Sequence, residues 1–321
     1  MKRNIIIIVL VLCNIISFAQ DISKIERQAK QGDAAAQALL AFYYYQGKDV
    51  EKDINKAIYW YNQAIEGGYE EAKVNLALVY HNQKEYEKSF PLFLSFVDNS
   101  QIKGRKDELY NTALANIGHY KMIGRATPID INGAIKYLEQ AHSNGYNVYM
   151  DLSECYDKTG EFQKKFMIDK EGFEKSAIPF NLAKDYLFGI GCKQDLNRVY
   201  ELLSGIASGN LVYHMPDGGR VTFGEPYIYA AKCYIGIAYY FDKTKKNHYE
   251  DAVKLFNEVI VSTESSPLIK GNAMCVLQRC YRFGRGTKKD LEKANEYERE
   301  AKLLLTEEGY NNFSKHFQAS Y

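Results

Sequence analysis

The stretch Tyr281-Arg-Phe-Gly-Arg-Gly-Thr-Lys-Lys-Asp290 decides the fold, because it recurs upstream as Tyr186-Leu-Phe-Gly-Ile-Gly-Cys-Lys-Gln-Asp195. In both copies glycine follows the tyrosine after three residues and aspartate follows it after nine. Two further copies keep these offsets: Tyr44, Gly47 and Asp53, and, with lysine in the first position, Lys121, Gly124 and Asp130. A chain that repeats itself in this way is an array of one small structural unit.

The first residue of each copy, called the anchor below, stands at the end of a helical pattern. Three more anchors, Tyr80, Tyr156 and Tyr239, share only the upstream residues, which gives seven repeats. Leucine or isoleucine stands four residues before every anchor: Leu40, Leu76, Ile117, Leu152, Leu182, Ile235 and Leu277. Mostly small residues stand three residues before it (Ala41, Ala77, Gly118, Ser153, Ala183, Gly236 and Gln278) and eight residues before it (Ala36, Ala72, Ala113, Val148, Ile178, Ala231 and Ala273). These offsets lie on one side of a helix with about 3.6 residues per turn. They predict a first helix in each repeat that buries this side and lets a neighbouring helix approach closely.

The glycine and the aspartate after the anchor predict how the repeat continues. Glycine suits the left-handed conformation that ends a helix, and aspartate is a good N-cap for the next one. The predicted buried faces of these second helices are Ala57, Trp60 and Ala64; Ala134, Tyr137 and Ala141; Val199, Leu202 and Ile206; and Ala294, Tyr297 and Ala301. The repeats anchored at Tyr80 and Tyr156 have shorter links, and their second helices are expected to begin near Tyr86 and Phe162.

The columns Ala-x3-Leu-Gly/Ala-x2-Tyr-x2-Gly-x-Gly and Asp-x2-Lys-Ala-x2-Trp/Tyr resemble Sel-1-like repeats, relatives of the tetratricopeptide repeat, over residues 29–303. The resemblance implies a right-handed α-solenoid that acts as an adaptor or scaffold, often in a bacterial envelope. The predicted fold class is therefore all-α, with about seven helix-pair repeats in an array over residues 20–303.

Two segments depart from the repeat. Residues 209–226 contain two β-rich runs on either side of Pro216-Asp-Gly-Gly219, which predicts a β-hairpin insertion. The insertion is interpreted either as a tolerated surface loop or as a finger that contacts a partner. Residues 304–321 keep apolar residues with polar residues between them, and are expected to cap the last repeat.

The amino terminus has the pattern of a secretory signal peptide. A basic start with Lys2 and Arg3 precedes an apolar run from Ile5 to Ile16, and small residues end at Ala19. The run is shorter than the roughly 20 residues that span a bilayer, so cleavage after Ala19 is favoured over a permanent anchor. We therefore expect residues 1–19 to be removed and the protein to be exported to the periplasm or outside the cell.

The composition limits the classes of partner that the protein is expected to bind. Apolar residues make up 46% of the chain, enough for a sizeable core, and 41 Lys and Arg nearly balance 40 Asp and Glu. This balance gives no global field that favours nucleic acid or an anionic membrane.

Cysteines 155, 192, 233, 275 and 280 fall mostly in repeat columns and are expected to be small core residues rather than a disulfide framework.

Two short motifs that occur in enzymes are not expected to form an active site here. Ser100-Gln-Ile-Lys103 and Lys158-Thr-Gly160 match short motifs of serine β-lactamases, an activity linked to some Sel-1-like relatives, but Lys158–Gly160 is expected to be a turn between repeat helices. The six histidines show no paired metal-ligand spacing. We expect no catalytic residue, no metal site and no cofactor.

A partner-binding surface is predicted beside the buried stripe of the first helices, where aromatic and basic residues are mixed. The candidates are Phe42, Tyr45, His81, Lys184, Tyr240, Arg279 and Arg282. Aromatic residues and arginine concentrate binding energy at interfaces, and the alternative is that these side chains only complete the core between repeats. The sequence thus predicts an exported, non-enzymatic scaffold that binds a protein or peptide partner through this surface. The alternative function is a cell-wall-ligand binder or a β-lactamase-like hydrolase.

Overall fold

The structure, a computed structural model, describes residues 22–99, 103–176, 178–209, 212–214, 220–244 and 247–319. The chain divides into two compact units, unit 1 (Met1–Cys155) and unit 2 (Tyr156–Tyr321). The predicted signal peptide lies outside the described residues.

The described residues are almost entirely helical. The helices are α1 (Ile22–Lys30), α2 (Ala34–Gln46), α3 (Ile54–Glu66), α4 (Ala72–Asn82), α5 (Tyr86–Val97), α6 (Glu108–Ile123), α7 (Ile131–Ser143), α8 (Tyr149–Thr159), α9 (Phe162–Ser176), α10 (Phe180–Phe188), α11 (Leu196–Ala207), α12 (Glu225–Phe241), α13 (His248–Val261), α14 (Pro267–Phe283) and α15 (Leu291–Ala319). Two short strands, β1 (Val212–His214) and β2 (Arg220–Thr222), lie between α11 and α12.

The helices form pairs in the predicted order. The even-numbered helices from α2 to α14 are the first helices, and the Leu or Ile column in them is at most 6% exposed. The short-link second helices α5 and α9 begin at Tyr86 and Phe162, as predicted. Each unit is a stack of such pairs, the arrangement of an α-solenoid, so the predicted all-α fold class is confirmed.

The four long links share one hydrogen-bond pattern. Their first glycine, at positions 47, 124, 189 and 284, has φ between 66° and 71°. In every link the aspartate N–H donates to the carbonyl oxygen of the anchor at 2.9 Å, as for Asp53 and Tyr44. The side chain of that aspartate then accepts from the N–H three residues further on, at 2.8–3.2 Å. The link therefore ends one helix, reverses the chain and caps the next helix.

The small column three residues before the anchor marks where the second helix packs. A Cβ at Gly118 would lie 2.6 Å from Leu138 Cγ, and one at Gly236 would lie 2.7 Å from Phe256 Cε1. Both distances are far below van der Waals contact, so these positions have no room for a larger side chain. The sequence prediction of close helix approach is confirmed here.

The predicted middle positions of three second helices are wrong by one residue. Trp60, Tyr137 and Leu202 are only half-buried, and the fully buried residues are Tyr61, Leu138 and Leu203. A residue four positions after the first alanine or valine lies nearer the centre of the face than one three positions after it, because a turn takes about 3.6 residues. The last pair keeps the predicted Tyr297, since the next residue is the charged Glu298.

The prediction is also wrong for one residue of the column that stands eight residues before the anchor. Ile178 is 37% exposed, because it precedes the start of α10 at Phe180 and therefore has no helical neighbours on the first-helix stripe. The other six residues of that column are buried.

The predicted hairpin is present as an antiparallel pair. Val212 pairs with Thr222, Tyr213 with Val221 and His214 with Arg220. The turn residues 215–219 lie outside the described residues. No helix among the residues described above is both long and apolar enough to cross a membrane.

The second glycine of the link provides a test of repeat stacking. Gly284 and Gly286 have nearly equal φ, 66° and 68°, but a Cβ at Gly286 would overlap the carbonyl group of Tyr249 in the preceding second helix, whereas one at Gly284 would meet only ordinary contacts. We expect Gly284→Ala to lower the free energy of unfolding by about 1–2 kcal/mol, the strain of left-handed alanine, and Gly286→Ala by a further ~2 kcal/mol from the overlap. Urea denaturation of both variants measures the difference, and equal losses would contradict this packing.

Candidate functional site

The seven predicted partner-binding residues lie on what we call the first-helix face, the side chains from two residues before to two residues after each anchor. Phe42, Tyr45 and His81 lie in unit 1, and Lys184, Tyr240, Arg279 and Arg282 lie in unit 2. Tyr240 is 1% exposed and the other six are half-buried.

Phe42 and Tyr45 lie on α2 and pack against the core that α2 shares with α3 and α4. The Tyr45 hydroxyl accepts a hydrogen bond from Asn82 Nδ2 at 2.7 Å, which connects the end of α2 to the end of α4. The Lys52 ammonium lies 5.7 Å from the centre of the Tyr45 ring, within cation–π range. The aromatic ring of Tyr45 is thus held in place while part of its surface stays accessible.

His81 belongs to a group of rings, the His81 cluster, made of His81, Tyr86, Tyr120 and Arg125. The His81 and Tyr120 rings stack at 5.7 Å with an interplanar angle of 9°, and Tyr86 meets both rings edge-on at 5.6 and 5.8 Å. The Arg125 guanidinium lies 4.3 Å from the centre of the Tyr86 ring. The cluster joins α4, α5 and α6 and places a histidine and an arginine beside aromatic surface.

A chain of hydrogen bonds fixes the tautomer of His81. Ser89 Oγ donates to the Ala77 carbonyl at 2.7 Å, and the Tyr120 hydroxyl donates to Ser89 Oγ at 3.1 Å. The Tyr120 oxygen, 2.6 Å from His81 Nδ1, must therefore accept from it. Burial lowers the pKa of His81, and the nearby His119 and Arg125 charges lower it further. His81 is thus favoured in its neutral form with the proton on Nδ1.

His119, on α6, lies at the next position along the same face. Its Nδ1 atom is 3.4 Å from Asp151 Oδ1 on α8, so the two form an ion pair when His119 is protonated. The imidazole and the carboxylate are both about one-third exposed. The first-helix face of unit 1 therefore carries aromatic and basic groups on successive first helices, with the acidic Asp151 next to His119.

Tyr240 was predicted on the partner-binding surface, and the structure corrects its setting. Its ring is buried, the Phe317 ring lies 5.3 Å away, and its hydroxyl accepts from Arg285 Nη1 at 2.7 Å. The reason is that the chain's own C-terminal helix covers this part of α12. Tyr240 therefore belongs to the core of unit 2.

The two predicted arginines of α14 also have intramolecular partners. Arg282 Nη2 donates to Glu298 Oε2 at 2.9 Å and to Asn295 Oδ1 at 3.2 Å, which joins α14 to α15. The Arg279 guanidinium lies 4.6 Å from the centre of the Phe317 ring. Lys184, on α10, is half-buried on the same face. In unit 2 the predicted surface is thus already engaged by the last helix.

A buried charge cluster in unit 2 was not predicted from the sequence. Lys165 Nζ donates to Asp169 Oδ2 at 2.6 Å and to Asp185 Oδ1, and the three side chains are 4%, 2% and 0% exposed. Asn181 Nδ2 donates to Asp169 Oδ1 at 3.2 Å. Burial raises the pKa of Asp185 to about 8, and the Asp169 charge also raises it while Lys165 opposes the shift. One ammonium and one ionised carboxylate can then balance in the core, with Asp185 protonated.

The short motifs that match β-lactamases are not assembled into a site in the described part of the chain. Lys158 and Thr159 end α8 and Gly160 has φ 77°, so this stretch is the predicted turn before α9. Ser100 lies outside the described residues. Within the described part of the chain, no three His, Cys, Asp or Glu side chains are grouped as a metal site would need.

The four long repeats match the Sel1 repeat family model, at residues 34–69, 112–146, 180–203 and 272–301. The chain is a Sel1-like repeat protein. Proteins built from Sel1 repeats are generally protein-interaction scaffolds, and they are typically not enzymes.

The chain is similar to three other proteins. It is 39% identical over 69 residues to a sel1-like repeat-containing protein of Acanthamoeba polyphaga mimivirus, a match that covers 22% of this chain and only 13% of the relative. A protective antigen present in uropathogenic Escherichia coli strains, which displays an SLR fold, aligns with 88% of this chain and 79% of its own, at 18% identity and a TM-score of 0.37. A Sel1 repeat protein from Oxalobacter formigenes aligns with 92% of this chain and 90% of its own, at 17% identity and a TM-score of 0.45.

The repeat alignment also shows a cationic position at the link that sequence reasoning missed. The residue directly after the first link glycine is cationic in three of the four long repeats, and in each its charge lies over a tyrosine ring: Lys48 over Tyr43 at 5.6 Å, Arg125 over Tyr86 at 4.3 Å, and Arg285 over Tyr240 at 5.4 Å. A Gly-Lys or Gly-Arg dipeptide at this offset was the available signal. These cations stand four residues after their anchors, two residues beyond the first-helix face.

The Asp185 carboxyl provides a pH test. Its pKa in the folded chain lies above the value of about 3.9 for an unfolded chain, so between these values the folded state holds the proton more tightly. This tighter binding of the proton stabilises the folded state fully below about pH 4, and the stabilisation is lost as the pH rises towards 8. Asp185→Asn keeps the acceptor for Lys165 and removes this titration.

We therefore expect the free energy of unfolding of the wild-type chain to fall relative to that of Asp185→Asn as the pH rises from 5 to 8. The difference in slope cannot exceed about 1.4 kcal/mol per pH unit, the limit for one proton. Urea denaturation at several pH values measures both curves. Parallel curves would show that Asp185 does not titrate in this range.

Proposed function

We propose that this Sel1-like repeat protein is an exported, non-enzymatic scaffold that binds a protein partner through the first-helix face of unit 1. The observation that carries the proposal is the set of half-buried aromatic and cationic side chains there, each fixed by a contact within the unit. Tyr45 is held by Asn82, and His81 is held by Tyr120. Rings that are already ordered lose little conformational entropy when a partner covers them.

The mixture of groups on this face favours a protein or peptide over a small molecule. Aromatic rings supply apolar area with few rotatable bonds, and His119 on this face, with Arg125 and Asp151 next to the face, supplies charges of both signs. Peptide backbones and side chains offer matching donors, acceptors and apolar groups along an extended surface. No nucleic-acid partner is proposed, because the chain as a whole is close to neutral.

Site-specific photocross-linking tests the binding face. A photoreactive phenylalanine analogue replaces Tyr45 in one variant and Tyr59 in a control variant, in the organism that encodes the protein. Tyr59 is 55% exposed on the second helix α3, away from the first-helix face. We expect a discrete cross-linked protein from position 45 and at least tenfold less of it from position 59. Equal products from both positions would contradict the assignment of the face.

Export has a separate test. The basic start, the apolar run and Ala19 support removal of residues 1–19. We expect the protein purified from the envelope or the medium to begin at Gln20, as read by amino-terminal sequencing. A soluble protein that retains Met1, found only in the cytoplasmic fraction, would overturn the export part of the proposal and leave the binding part to the cross-linking result.

A further inference from the structure

The last part of α15, residues 307–319, lies on the first-helix face of unit 2. The Phe317 ring is 1% exposed and lies 4.7 Å from the Phe241 ring and 5.3 Å from the Tyr240 ring, both on α12. The Arg279 guanidinium of α14 lies over the same ring at 4.6 Å. One phenylalanine of the segment thus contacts two successive first helices.

A second phenylalanine extends the contact to a third first helix. The Phe313 ring meets the Phe188 ring of α10 edge-on at 6.1 Å and stacks with Phe317 at 6.0 Å. Phe188, Phe241 and Arg279 each lie two residues from an anchor, at Tyr186, Tyr239 and Tyr281, so the contacted surface is the predicted binding face. Residues 307–319 therefore lie across α10, α12 and α14.

The segment has the pattern of an amphipathic helix in a groove. Tyr310, Phe313 and Phe317 follow one another at intervals of three and four residues and face the core of unit 2. Asn311, Asn312 and Lys315 are exposed on the other side. This spacing places one aromatic stripe against the face and leaves the polar stripe in solvent.

The segment is joined to the rest of α15 through a break in the helix. The helix is interrupted at Thr306, whose φ of 64° and ψ of 163° are strained for a β-branched residue. Among the side chains described in residues 307–319, Phe317 is the one that is buried. A segment with few buried side chains that begins at a strained residue opens at a lower free energy than the core helices of its unit.

We propose that the first-helix face of unit 2 is a docking surface for an amphipathic helix of a partner protein, with aromatic residues spaced as in Tyr310, Phe313 and Phe317, and that residues 307–319 occupy this surface until such a helix displaces them. This inference rests on the proposed scaffold function and names the kind of partner. The chain's own segment shows that the face accepts this helix chemistry.

The attached segment lowers the apparent affinity of the face for a separate helix. A tethered ligand acts at an effective concentration in the millimolar range, so a separate helix with similar contacts binds poorly while the segment is intact. When the segment loses its aromatic contacts, the face becomes available, and the apparent affinity for the separate helix rises in proportion to the fraction of chains whose face is free.

The experiment compares full-length chains and uses a fluorescein-labelled synthetic peptide with the sequence of residues 307–321. One chain carries Phe313→Ala and Phe317→Ala, and the matched control carries Asn311→Ala and Lys315→Ala on the exposed side of the same segment. Fluorescence anisotropy measures binding of the peptide. We expect the double phenylalanine variant to bind it at least tenfold more tightly than the wild-type chain and the control variant do.

A peptide that lacks both phenylalanines should not bind any of the chains. Equal affinity of the peptide for the wild-type chain and the phenylalanine variant would overturn the proposal, and so would equal binding of the two peptides. A wild-type chain that forms dimers by exchanging this segment at micromolar concentration, seen by light scattering, would make a second copy the occupant and would also overturn it.

Hydrogen exchange of the wild-type chain gives a second test that needs no variant to fold. Amides of residues 310–319 should exchange at least tenfold faster than those in the middle of α12 and α14, and equal protection would overturn the proposal. Failure in these experiments is distinguishable from failure of the scaffold function, because the cross-linking at Tyr45 concerns unit 1 and does not depend on residues 307–319.

Discussion

The fold depends on one hydrogen bond that is made four times, from the N–H of the link aspartate to the carbonyl oxygen of the anchor at 2.9 Å. It closes a turn that the left-handed glycine makes possible and sets the aspartate side chain to cap the second helix. Because the same bond recurs at 53, 130, 195 and 290, every long repeat enters its second helix through the same hydrogen-bonded turn. The small residues before the anchor then meet that helix, as Gly118 meets Leu138.

Much of this was predictable because the determinants are local. The leucine or isoleucine column, the link glycine and the aspartate cap each act within a few residues, so their spacing in the sequence specified first helices, links and second helices. The error at Trp60 and Tyr61 has the same origin. Tyr61, four residues after Ala57, lies nearer the centre of the buried face than Trp60, because a helical turn takes about 3.6 residues.

The rest was not predictable because it depends on contacts between distant segments. Lys165 and Asp185 look like ordinary surface residues in the sequence, and only the packing of α9 on α10 buries them together. Phe317 was expected to cap the last repeat, yet its ring lies on α12 and α14. Likewise α1, which no repeat column covers, packs Ile25 and Ala29 against Ala36 and Leu40. For Phe317 and Ile25 the apolar residue was recognisable and its partner was not, whereas for Lys165 and Asp185 neither the burial nor the pairing was recognisable.

The buried thiols set a requirement on the order of events during maturation. The described cysteines form no disulfide, and four of them are buried. Burial raises the pKa of Cys275 and of Cys280 to about 12 and that of Cys192 to about 11, so in the folded protein they remain protonated and unreactive. An unfolded chain has no such protection. In an oxidising compartment, such thiols would stay reduced only in chains whose helices form before an oxidant reaches them.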